Sequence, residues 1–126
     1  MKQWLIVLVV LGLLSMPLIG CGESGTSSPS PNTVHTQGAK FVQSSITISK
    51  GSMLTLEDDD ATLHIIANGS WVNGVPTPAS EGGAPSANNM QLSNNGSIHI
   101  GPFNTAGTYH LYCTIHPNMN LSVQVQ

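Results

Sequence analysis

The chain has 126 residues, a single-domain length, of which 40% are hydrophobic and only 7% charged, with a formal net charge of −3. So few cations exclude a nucleic-acid-binding surface. They also leave solubility to Ser, Thr, Asn, Gln and Gly.

The first residues read as targeting sequence and are set aside before a core is counted. Lys2 supplies a positive start, and Leu5 to Leu14 form an apolar run too short to span a bilayer comfortably. Leu18-Ile19-Gly20-Cys21 follows at once and resembles a bacterial lipobox. On this reading residues 1–20 are a lipoprotein signal peptide, Cys21 is the lipidated residue, and the product is held on the extracytoplasmic face of a bacterial membrane. An ordinary secretory signal or an uncleaved anchor would deliver the domain to the same side. Residues 21–39, rich in Ser, Gly, Thr and Pro, hold too little apolar surface to fold and are expected to be a flexible tether. The domain is then 40–126.

Within it, Ile46, Ile48, Leu54 and Leu56 alternate with polar residues around Gly51, the pattern of two half-buried strands and a turn. A strand is expected over Ala61 to Ala67. The stretch from Asn68 to Gly96 is crowded with Asn, Gly, Pro and Ser and shows no helical period; it has room for a short strand or helical turn near Asn89 to Leu92. Ile98 and Ile100 open a further strand, Thr108 to Cys113 form the next, and Leu121, Val123 and Val125 alternate in the last. Short strands without helices predict an all-β fold, a Greek-key β-sandwich of about seven or eight strands. The run Glu57-Asp58-Asp59-Asp60 lacks the spacing of a calcium loop and reads as a solvated acidic turn. Trp71 reads as a cap over one end of the sandwich.

With Cys21 taken by lipid, Cys113 is a lone thiol in an oxidising compartment: a buried inert residue, a nucleophile, half of an intermolecular disulfide or a metal ligand. Its neighbours decide. Cys113, His116 and Met119 follow one another at the end of a strand, and a thiolate, an imidazole and a thioether together suit copper better than zinc. A trigonal site needs a second imidazole. His99 lies between the inward Ile98 and Ile100 and so points outward; His110, an odd number of residues before Cys113, takes the opposite face; and His35 falls in the expected tether. Elimination leaves His64, with His99 and His110 as surface histidines that share an outer face.

The run Gly107-Thr108-Tyr109, through Tyr112-Cys113-Thr114, to His116-Pro117 and Met119 resembles the cupredoxins, the blue type 1 copper family, of the plastocyanin and amicyanin kind. Ser45 to Gly51 is similar to that family's early strand and turn. The resemblance implies His64, Cys113 and His116 as equatorial ligands of one Cu(I)/Cu(II) ion, with Met119 as a long axial ligand. Two positions depart from the family pattern: Ile65 stands where a polar residue often follows the first histidine, and Leu121 where a glycine is usual. The implied function is electron transport rather than catalysis, exchanging single electrons with redox partner proteins through His116 and Pro117, as a monomer. The alternative is a copper storage or delivery protein of the same fold, told apart by whether it surrenders its ion to apo-partners.

Overall fold

The computed structural model describes residues 31–126 and contains ten strands: β1 (Thr33–Gln37), β2 (Lys40–Phe41), β3 (Ser45–Ile48), β4 (Leu54–Asp58), β5 (His64–Val72), β6 (Val75–Pro78), β7 (Met90–Leu92), β8 (Ser97–Ile100), β9 (Gly107–Cys113) and β10 (Asn120–Val125). They form two layers. One sheet runs β2-β1-β4-β8; the other runs β3-β10-β9-β5-β6, with β7 also on β5. Most strands pair antiparallel, but β1 runs parallel to β4 and β3 parallel to β10.

Period-two alternation decides which side chains meet between the layers. Leu54 and Leu56 of β4, Leu111 and Cys113 of β9, and Leu121 and Val123 of β10 all turn inward, and Ile66, Leu92, Ile100 and Phe103 complete a dry core. Tyr109 closes one end, its hydroxyl donating to the carbonyl of Thr105 at 2.8 Å, a corner tie familiar in β-sandwiches. The expected β-sandwich is therefore present, with β1, β2 and β6 beyond the strands expected from sequence.

Part of the expected tether is in fact sandwich. Thr33 to Thr36 pair with Thr55 to Asp58, and Val34 is fully buried opposite Leu56. One apolar residue among Thr, His and Gln gives no strand period, so this strand exists because β4 offers it an open ladder. His35 consequently lies in β1, where its Nδ1 meets a carboxylate oxygen of Asp59 at 2.8 Å. Residues 21–30 of the tether, Cys21 among them, and the signal segment lie outside the described residues.

The acidic run is also only partly solvated. β4 keeps its period through Asp58, which is 2% exposed on the core side and accepts hydrogen bonds from the backbone amides of Asn95 at 3.0 Å and Asp60 at 3.4 Å. Asp60 faces water, and hydrogen bonds from Thr62 and Gly38 hold its carboxyl below the usual range.

β5 bends at Gly69 (φ +129°), where a side chain would collide with the backbone of Thr77 and Pro78. Its first half pairs with β9 and β7, and its second half forms a hairpin with β6. Asn73 (φ 50°) and Gly74 (φ +74°) make the turn, the dipeptide that hairpins of this twist favour. Val75, Pro76, Thr77 and Pro78 of β6 are all exposed. Between β6 and β7 the chain crosses the outside of the sheet, pinned by Asn68 to Pro85 and Ala87 and by Glu81 to His110.

Candidate metal centre

At one end of the sandwich the two central strands of the larger sheet present His64 and Cys113. His64 opens β5 and Cys113 closes β9, with Ile66 opposite Cys113 in the register, so both side chains turn into the same interior space and both are fully buried. The turn after β9 brings back His116. That turn is closed by the amide of Cys113 donating to the carbonyl of Met119 at 3.1 Å and the amide of Met119 donating to that of His116 at 3.2 Å. Asn118 takes a left-handed conformation (φ 63°), which asparagine tolerates better than most residues.

The result is a convergence of donor atoms. Nδ1 of His116 lies 3.4 Å from Sγ of Cys113 and 3.3 Å from Nδ1 of His64, and ligand atoms of the three residues fall within 4.8 Å of one another. The two rings meet edge to face, their centroids 5.0 Å apart. Burial, and then the neighbouring His116, push the His64 imidazole below the ordinary histidine value, against the pull of Asp58 and Asp60. The ring is thereby kept in the neutral form that binds a metal. Among the described residues, the only fully buried side-chain nitrogen or oxygen without a hydrogen-bond partner is Nε2 of His64. Two imidazoles and a thiol gathered with so few partners of their own suit a metal ion better than a packed core.

Met119 stands at the end of the same turn, buried among core residues. His116 is half-buried and Pro117 exposed, so the turn reaches the surface at that point. The other histidines stay away from the centre and have conventional neighbours: His99 beside the Thr55 hydroxyl at 3.0 Å and His110 against Glu81 at 2.6 Å. The face counting that excluded them is correct. They do not share a face, however, since β8 and β9 belong to different sheets.

Two features around the thiol escape a reading of residue types. The amide of Ile65 donates to Sγ of Cys113 at 3.4 Å, a contact that needs only a backbone N–H and is indifferent to the apolar side chain at this position. Trp71 does more than cap the sandwich. Its indole Nε1 donates to the carbonyl of Cys113 at 2.8 Å, and its ring meets Tyr112 edge to face. The signal for that contact was the Asn73-Gly74 dipeptide, which folds the second half of β5 against β6.

No family model matches the chain, and no curated protein matches it. Solved structures do. Amicyanin from Paracoccus versutus is 21% identical with a TM-score of 0.58, the match covering 80% of this chain and 86% of that one. An oxidised methionine-to-leucine mutant of amicyanin is 21% identical with a TM-score of 0.57, over 80% and 87% of the two chains. A methionine-to-alanine mutant of amicyanin with Cu(I) is 18% identical with a TM-score of 0.55, over the same shares. At these identities the likeness establishes the fold, the cupredoxin β-sandwich.

Proposed function

We propose that this domain, built on the fold of amicyanin, is a type 1 copper electron carrier and not an enzyme. The observation that carries the reading is the convergence of Nδ1 of His64, Nδ1 of His116 and Sγ of Cys113 in a buried space. Thiolate and thioether sulfur favour Cu(I) while imidazole accepts Cu(II), so His64, Cys113, His116 and Met119 would together hold one copper ion in either state. That ion supplies the one-electron chemistry. The chain supplies rigidity: His64 and Cys113 sit on paired strands, and the Ile65 amide fixes the sulfur. That the amicyanin structures include an oxidised form and a Cu(I) form is consistent with this role.

Electrons enter and leave at His116, whose half-buried ring lies beside exposed Pro117 and Ile115. Redox partner proteins dock there, with Val75 and Pro76 of the hairpin widening the apolar surface. Export and a lipid anchor on Cys21 belong to the same proposal and rest on the Lys2 to Cys21 pattern. They place the carrier on the extracytoplasmic face of a bacterial membrane.

Addition of Cu(II) to the purified protein tests the reading. One equivalent is expected to give the intense visible charge-transfer band of a copper–thiolate bond and to be reduced and reoxidised without loss of metal. A colourless product sinks the reading, and ready surrender of the ion to an apo-protein favours the storage or delivery role. For the anchor, Cys21→Ala is expected to leave an unlipidated precursor, read by the mass of the N-terminal fragment.

A further inference from the structure

Three hydrogen bonds tie the second half of β5 to the turn that carries His116 and Met119. The indole Nε1 of Trp71 donates to the Cys113 carbonyl at 2.8 Å, the Trp71 amide donates to Oδ1 of Asn120 at 2.7 Å, and Nδ2 of Asn120 donates to the Trp71 carbonyl at 3.1 Å. The Asn120 side chain thus pairs with the Trp71 peptide groups as a short piece of strand would. Cys113 is held on every side: its amide by the Met119 carbonyl, its carbonyl by the indole, its sulfur by the Ile65 amide. Both ends of the turn, Cys113 and Asn120, are fastened to the strand that begins at His64.

We infer that Trp71 and Asn120 are positioning residues, a clamp that fixes the distance and angle at which Cys113 and Met119 face His64 and so sets the properties of the metal they hold. The inference rests on the copper reading for its effect on the metal, while the clamp itself is a property of the metal-free chain. Without the clamp the turn is fastened to β5 by the pairing of Cys113 with Ile66, by the amide of Thr114, which donates to the Ile65 carbonyl at 2.8 Å, and by the sulfur contact. The donor groups of Cys113, His116 and Met119 would then be free to shift relative to His64, and a copper ion held by them would be less constrained to one arrangement in both oxidation states. Neighbours of this kind orient ligands and tune a metal without touching it.

Two variants separate the clamp from packing. Trp71→Phe keeps an aromatic ring against Tyr112 but has no N–H to donate, and Asn120→Ala removes both bonds to the Trp71 backbone. In the metal-free protein, hydrogen exchange of the Cys113 and Met119 amides is expected to quicken roughly tenfold in Trp71→Phe, the size of one lost hydrogen bond, and by more in Asn120→Ala, which loses two. Amides of β1 and β3 should be unchanged. With one equivalent of copper, both variants should still bind the ion, with altered relative intensities of the thiolate-to-copper bands and a lower reduction potential. Exchange, spectrum and potential all equal to those of the parent protein would overturn the clamp. A colourless parent protein would overturn the tuning role together with the copper reading, whereas a coloured parent with unchanged variants would overturn the clamp alone.

Discussion

The buried carboxylate at the end of β4 and the buried imidazole at the start of β5 solve the same problem in opposite ways. Asp58 and His64 are both nearly or wholly removed from water. Asp58 takes hydrogen bonds from the backbone of Asp60 and Asn95, so the loops after β4 and before β8 close around a satisfied group. Nδ1 of His64 meets Nδ1 of His116, and its Nε2 has no hydrogen-bond partner. A buried polar atom with local partners holds the fold together; one left open, among groups that repel or ignore it, is held in readiness for something the chain does not itself contain.

The strongest way to break this contrast is at the open centre. Cys113→Ser should abolish the copper–thiolate band entirely while the melting temperature of the metal-free protein stays close to that of the parent, since a hydroxyl of similar size replaces the thiol. Retention of the colour would mean that another group binds the metal. At the satisfied site, Asp58→Ala should lower stability by about 3 kcal/mol, because two backbone amides lose their acceptor in a buried corner. Urea denaturation reads the loss, and an unaltered copper spectrum would confirm that the corner and the metal end are independent.

A smaller effect sharpens the contrast further. Replacing His64 by Leu removes an imidazole nitrogen without a partner, so the metal-free protein should gain about 1 kcal/mol in the same denaturation experiment while its copper affinity collapses. A destabilised His64→Leu protein would show that the ring is a structural element. The smallest change is expected at His99, exposed and beside Thr55: His99→Ala should alter stability by no more than about 0.5 kcal/mol and leave the spectrum as it was.

The contrast also separates what could be read from the residues from what could not. The metal-end residues were legible because strand period fixes the face of each histidine, and Cys113-x-x-His116-x-x-Met119 is local in sequence. Asp58 was not, because its charge hid the fact that Leu54, Leu56 and Asp58 follow one period. β1 was hidden for a different reason: its burial comes from a parallel neighbour, and nothing within Thr33–Gln37 announces it. Trp71 reaches Cys113 from the half of β5 beyond Gly69, and the close approach of Gly69 to the backbone of Thr77 and Pro78 is a tertiary fact.

The hairpin that follows Gly69 leaves β6 at the border of its sheet. Trp71 directs its own N–H and C=O toward Asn120, so Ser70 and Val72 face β6 and meet Thr77 and Val75. Pro76 and Pro78 therefore occupy the positions that look away from the sheet, where neither has an N–H to donate. A strand from another molecule arriving at this border would find acceptors without donors and could build only half a ladder. An exposed, apolar, extended segment at a sheet border is an invitation to aggregate, and the two prolines withdraw it. The border can thus stay exposed and apolar without becoming a seed for the chain's own polymer.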